Sequence, residues 1–146
     1  MEDDIELCVL GTSDYQDVLE LWNRSGLTIR AAGRDSAPAF ELQMAWGVQR
    51  VIGLRKGGTL LAVAVLTHDG RKGWINRLAV DPAYRCQGLA QQLIVAAERW
   101  FTEELGLEVW AALIEHENAV SQALFARMGF RRHDLVYVSK RTRAEA

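Results

Sequence analysis

Two glycine turns bracket a run of residues that reads as the middle of a sheet. Lys56-Gly57-Gly58 precedes Thr59 to Thr67, His68-Asp69-Gly70 follows it, and the strand between is almost wholly apolar. A strand apolar in both directions has to be covered on both faces, so this chain needs a layer on each side of its sheet. Val51-Ile52-Gly53-Leu54 reads as the strand before it and Trp74 to Val80, ending at Asp81-Pro82, as the strand after. Short glycine turns between them imply three antiparallel strands in succession.

The flanking segments supply the layers. Ile5 to Leu10 reads as a first strand, and Ser13 with Gln16 forms an S-x-x-Q capping pattern at the start of a helix. Tyr15, Val18, Leu19 and Trp22 fall on one face of that helix, and Gly26 marks its exit. After a loop over Ala31 to Ser36, Pro38 opens a second helix carrying Phe40, Leu42, Met44, Ala45 and Val48. Gln87 to Leu105 is the strongest helical pattern, with Leu89, Leu93, Ala97, Trp100 and Phe101 on one face and Gly106 at its end. Leu107 to Ile114 reads as a buried strand, Ala119 to Met128 as a helix closed by Gly129, and Leu135 to Ser139 as a last strand. The expected fold class is therefore α/β (α+β), with a mixed sheet of about six strands and about four helices.

Composition narrows the function. A chain of 146 residues, 49% hydrophobic and 25% charged, suits one domain over residues 1–146 that needs neither metal nor disulfide. Cys8 and Cys86 share no motif, and His68, His116 and His133 form no ligand pattern, so no metal is expected. Seventeen Lys and Arg against 19 Asp and Glu argue against general nucleic-acid binding, although the tail from Arg131 is basic. No apolar stretch approaches the roughly 20 residues of a membrane span. The acidic start Met1-Glu2-Asp3-Asp4 is unlike a secretory leader, which makes a cytoplasmic location the expectation. A homodimer is left open.

Chemistry concentrates at Leu78 to Ala90, where a strand passes through a short loop into the strong helix. A helix start leaves about four amide donors unpaired and carries a positive dipole end of roughly half a charge, which suits a phosphate. Gly88 and Ala90 leave the backbone approachable, and Arg85 adds a full charge. Tight packing of helix on sheet is the competing explanation for two small residues here. The spacing is not G-x-G-x-x-G, and its place after three antiparallel strands speaks against a dinucleotide fold.

Arg85-x-x-Gly88-x-Ala90 resembles the R/Q-x-x-G-x-G/A signature of the GNAT superfamily of acetyl-CoA-dependent N-acetyltransferases. Leu78-Ala79-Val80-Asp81-Pro82 is similar to the strand that precedes that signature, and Glu117-Asn118-Ala119 through Ala123-Leu124-Phe125 to Gly129-Phe130 is similar to a later family segment. The element order fits from Ile5 to Ser139, and the small bacterial YpeA-like branch is the nearest resemblance within the family. The resemblance implies acetyl-CoA as co-substrate and an amine acceptor as partner, with no nucleic acid or membrane. It implies that the backbone of Leu78, Ala79 and Val80 holds the pantetheine arm, and that the turn of Arg85, Cys86, Gln87, Gly88, Leu89, Ala90 and Gln91 holds the pyrophosphate. Asn118 and Phe125 would touch the cofactor from the other side, although helix capping explains Asn118 equally well.

The resemblance implies the Leu78 backbone N–H as oxyanion donor. Proton handling departs from the family pattern, because Trp74 stands where relatives carry Glu and Phe125 where many carry Tyr. Glu115, His116 or Asp69, acting through water, are the candidate bases. The two apolar replacements also motivate the alternative of a non-catalytic acyl-CoA-binding regulatory module. Cys86 as a nucleophile is disfavoured, since it occupies a variable position of the motif and direct transfer suffices. Trp22, Trp46 and Trp74 are candidates for an acceptor pocket, with the core as their competing place.

Overall fold

The computed structural model describes residues 4–146, and the acidic start over Met1, Glu2 and Asp3 lies outside the described residues. In chain order the elements are β1 (Ile5–Leu10), α1 (Tyr15–Arg24), α2 (Ala37–Ala45), β2 (Gln49–Lys56), β3 (Thr59–His68), β4 (Gly73–Val80), α3 (Leu89–Arg99), β5 (Trp110–Ala112) and α4 (Ala119–Arg127). They form one sheet in the order β1-β2-β3-β4-β5. The first four strands are antiparallel and β5 joins β4 in parallel.

The apolar run of β3 is central, as its composition requires. Val63 and Val65 face one core with Val18, Leu21 and Phe40 of α1 and α2. Ala62, Ala64 and Leu66 face a second core with Leu89, Leu93 and Phe101 from α3 and the turn after it. Each fully buried Val or Leu contributes roughly 1.5–3 kcal/mol by leaving water, and burial on both faces keeps β3 at the centre of the sheet.

The helix starts show how local chemistry sets boundaries. At α2 the Ser36 hydroxyl accepts from the Ala39 N–H at 3.2 Å, with Pro38 in the first turn. At α1 the expected pairing of Ser13 with Gln16 is corrected. A short 3-10 turn over Thr12–Asp14 comes first, and the Asp14 carboxylate reaches back to accept from the Gly11 N–H at 2.8 Å. That bond closes the 3-10 turn; Asp14 occupies the N-cap position of α1 but makes no side-chain cap bond to it. The long helix expected over Gln87 to Leu105 is α3 followed by a wider π-helical turn over Trp100–Glu104, where Leu105 N–H donates to the Trp100 carbonyl.

Two strand expectations are also corrected. β5 spans three residues instead of Leu107 to Ile114; at the near end the Leu107 N–H closes the preceding turn on the Phe101 carbonyl at 2.8 Å and is not available to a strand. Leu135 to Ser139 forms no strand, and Leu135, Val136, Tyr137 and Val138 are exposed. The residues are β-prone, but β-propensity needs a partner edge, and β5 offers only three residues. Among the described residues the sheet therefore has five strands and not six. Among the described residues no helix is long and apolar enough to cross a membrane.

Candidate active site

β4 and β5 pair at Gly73↔Trp110, Trp74↔Ala111 and Ile75↔Ala112, and no further. Their near end is fastened twice: Gly73 N–H donates to the Val109 carbonyl at 3.0 Å, and the Trp110 indole N–H donates to Glu98 of α3 at 2.8 Å. Beyond Ile75 the strands part, which leaves the β5-facing edge of Asn76 to Val80 without a strand partner. The direction of the polar groups along that edge follows from one bond. Asp81 N–H donates to the Leu61 carbonyl of β3 at 2.7 Å. Since N–H and C=O groups alternate sides along a strand, Ala79 also faces β3, and the N–H and C=O of Leu78 and Val80 face the opening.

A bulge sits in the same stretch. Val65 pairs with Asn76 and Val63 with Ala79, so Ala64 alone lies opposite both Arg77 and Leu78. Arg77 takes up the extra residue with a left-handed φ of 52°, which costs a side-chain-bearing residue roughly 1–2 kcal/mol. The sequence carried no glycine to announce this bulge, only a polar Asn76-Arg77 pair inside an otherwise apolar strand.

Past β4 the chain makes a 3-10 turn over Pro82–Tyr84 and enters α3. Asp81 pins this turn, accepting from the Ala83 N–H at 2.9 Å and from the Arg24 guanidinium at 2.9 Å. Chiefly the Ala83 bond, and then the Arg24 charge, hold its carboxyl below the ordinary carboxylate range. Cys86 and Gly88 both adopt left-handed φ, 63° and 80°. A Cβ placed on Gly88 would meet only open space. Gly88 is thus required by its φ and by nothing packed against it, which removes tight helix-to-sheet packing as the explanation for that residue. The first bond of α3 runs from Gln92 N–H to the Gly88 carbonyl at 3.1 Å, so the N–H groups of Leu89, Ala90 and Gln91 emerge from the helix start. Leu89 is buried under the helix, Ala90 is half-buried, and Arg85, Cys86, Gln87 and Gln91 are exposed. Arg85 also donates to the Ser25 carbonyl at 3.3 Å.

The other candidates are not gathered onto this edge. Glu115 and His116 are exposed in the turn between β5 and α4, where their carbonyls accept from the Gln122 amide at 2.9 Å each. Asn118 caps α4, accepting from Ser121 N–H at 3.1 Å. Phe125 is only 5% exposed and packs edge-on against Phe130, with ring centroids 4.8 Å apart. Asp69 is an exposed turn residue; bonds from Arg71 and Lys72 N–H hold its carboxyl below the usual range, which makes it a poorer base. Of the tryptophans, Trp22 is buried, Trp74 is half-buried beside Lys72, and Trp46 is exposed.

A groove of about 620 Å³ lies along the flank of α3 over Leu7, Leu54, Val95 and Arg99. It reaches the phosphate turn only at its Gly88, Gln91 and Gln92 end. The β4 edge and this groove are therefore separate surfaces that meet at the Gly88 turn.

Residues 15–130 match the Acetyltransferase (GNAT) family. Among solved structures, the chain is similar to the aminoglycoside N-acetyltransferase AAC(6')-Iy bound to a CoA-linked bisubstrate analogue, with a TM-score of 0.78 at 18% identity, covering 94% of this chain and 99% of that one. It is similar to a PaiA N-acetyltransferase from Thermoplasma acidophilum in complex with coenzyme A, TM-score 0.79 at 18% identity, covering 91% and 93%. A ribosomal-protein-alanine N-acetyltransferase from Brucella melitensis biovar Abortus 2308 has a TM-score of 0.73 at 17% identity, covering 94% and 99%. At these identities the structures establish the shared fold. With a family match across most of its length and the parted β4–β5 pair running into a left-handed glycine turn, the chain belongs to the GNAT acetyltransferase family.

Proposed function

We propose that the protein transfers the acetyl group of acetyl-CoA to a primary amine by direct attack. The observation that carries this is the free edge of β4, whose Leu78 and Val80 polar groups face the opening and lead straight into the Gly88 turn. Leu78, Ala79 and Val80 supply the backbone edge along which the pantetheine amides bind as an added strand. The N–H groups from Gln87 to Gln91, through Gly88, Leu89 and Ala90, receive the pyrophosphate at the positive end of α3, with Arg85 and Cys86 at the rim. Asn118 and Phe125 bound the opposite side.

In the reaction an uncharged amine attacks the thioester carbonyl to form the C–N bond of a tetrahedral intermediate, whose collapse breaks the C–S bond. The Leu78 N–H stabilises the oxyanion that develops on the carbonyl oxygen, an effect of a few kcal/mol for a fixed donor. The sulfur leaves as a thiolate, its pKa being near ~8.5, and the amine proton passes to water. At pH 7 an α-amine is already roughly 10–15% neutral, whereas a lysine side chain is only about 0.04% neutral. An α-amino acceptor, on a small molecule, an amino acid or a protein N-terminus, therefore suits a site whose usual acid and base positions are Phe125 and Trp74. Glu115 and His116, acting through water, are the bases assigned for a less acidic amine.

Thiol release measured over a panel of amino acids, polyamines, aminoglycosides and peptide N-termini tests the proposal. Turnover above blank with an α-amine is expected. The burial of Phe125 in the core favours one second reading, a non-catalytic acyl-CoA-binding module. Tight acetyl-CoA binding with no release for any acceptor selects that module, and a calorimetric preference for ATP or NAD over acetyl-CoA rejects both.

A further inference from the structure

Among the described residues Asp35, at 7% exposure, is the buried acidic side chain. It lies in the loop between α1 and α2, far in sequence from the residues the family resemblance singles out. Its carboxylate accepts from the Arg30 N–H at 2.6 Å and forms an ion pair with the Arg77 guanidinium. Arg77 also donates to the Thr28 carbonyl at 2.6 Å and lies over the Trp22 ring, 5.2 Å from its centroid. The Tyr15 hydroxyl donates to the Asp35 carbonyl at 2.6 Å, so the loop end is tied to α1 as well. Arg77 is the residue that absorbs the β4 bulge in a left-handed conformation, and the residue after it is Leu78.

We propose that Arg77 and Asp35 are positioning residues: their ion pair clamps the β4 bulge to the α1–α2 loop and thereby fixes the direction of the Leu78 N–H. The inference rests on the acetyltransferase reading above, since the aim of that N–H matters only there. The argument is geometric. A bulged residue is left out of the strand ladder, so no ladder bond of its own holds Arg77 in an unfavourable φ. Its side chain does so from three directions, through Asp35, Thr28 and Trp22. A planar fork can serve Asp35 and the Thr28 carbonyl together, whereas a lysine ammonium lacks that fixed geometry. A buried ion pair is by itself weak support for stability, which fits a role in orientation. The loop and the oxyanion donor are then set as one unit.

The test uses the full chain, with Arg77→Gly, Arg77→Lys and Asp35→Asn assayed on the best amine from the panel. Glycine accepts φ of 52° without strain, so Arg77→Gly keeps the backbone conformation open while it removes the clamp and leaves the buried Asp35 carboxylate without its partner. The expected result is a kcat lowered about 10-fold to 100-fold, since a donor misplaced by about an ångström costs on that order. Acceptor KM and acetyl-CoA affinity should stay within about three-fold, and slow acetyl-CoA hydrolysis without amine, which needs the donor but no acceptor, should fall alongside kcat. Arg77→Lys should recover part of the loss. Unchanged kcat overturns the proposal, and so does a raised acceptor KM with kcat intact, which would make Arg77 a pocket residue. If Arg77→Gly does not fold, the same kcat-against-KM split in Asp35→Asn and Arg77→Lys decides. A wild type that binds acetyl-CoA and acetylates no amine overturns the acetyltransferase reading instead of the clamp.

Discussion

The two flanks of the β4–β5 opening are built on opposite principles. On the β4 flank the working groups are main-chain: Leu78 and Val80 present an unpaired edge, and the Gly88 turn exposes amides where an added side chain would meet only open space. On the β5 flank the corresponding family positions are already employed within the protein. Asn118 spends its side-chain oxygen on Ser121, and Phe125 is packed on Phe130 in the core. The contrast teaches where binding and catalysis can reside. Groups with internal partners must break them to serve a ligand, while amides at a helix start without a protein partner give up only water. Cofactor recognition is accordingly proposed on β4 and α3, with the β5 flank mainly a wall.

The sharpest way to break this asymmetry is Gly88→Glu. A carboxylate and a strained φ at the helix start should lower CoA affinity by at least about 100-fold, read by calorimetry, while the circular dichroism spectrum stays native. Unchanged affinity would remove the phosphate turn. Phe125→Ala should act on the other flank through packing, lowering stability by about 3–5 kcal/mol in a denaturant titration. A loss of CoA affinity with stability intact would make Phe125 a ligand contact instead. Asn118→Ala should cost about 1 kcal/mol of stability for the lost cap, with CoA affinity within two-fold.

The smallest effect concerns acid. The carboxyl of Asp81 is held below its ordinary range in the folded chain, so its stabilising contribution is complete above the unfolded value near 3.9 and lost as pH falls through the lower folded value. Arg24 is 37% exposed, which limits the pair to about 0.5–1 kcal/mol. Asp81→Asn should be less stable than wild type by about that amount at pH 7, and urea titrations should show the gap closing below about pH 4. A gap that persists at pH 2 would mean that Asp81 acts through shape and not charge.

Much of this was legible because the signals were local. The apolar run between two glycine turns identified the centre of the sheet, and Gly88 following a strand and opening a helix identified the turn. The bulge was not legible, because Arg77 has no intrinsic preference for a left-handed φ and adopts it through Asp35 and Thr28, 42 and 49 residues away. Burial of Asp35 was hidden for the same reason: a carboxylate in a loop reads as solvated until its partners are in place. The short β5 and the unpaired Leu135 to Ser139 reflect a further limit, since alternating β-prone residues announce a strand without announcing an edge for it to join. At the start of α1 the expected pairing of Ser13 with Gln16 is replaced by a short 3-10 turn that Asp14 closes on the Gly11 N–H, a turn the capping pattern does not announce.

A crystal structure of the protein with coenzyme A tests the central claim most directly. The account predicts pyrophosphate oxygens within hydrogen-bond distance of the N–H groups between Gln87 and Gln91, and the pantetheine amides paired with Leu78 and Val80. Coenzyme A lodged instead in the groove over Leu7, Val95 and Arg99, with the β4 edge left empty, would contradict it.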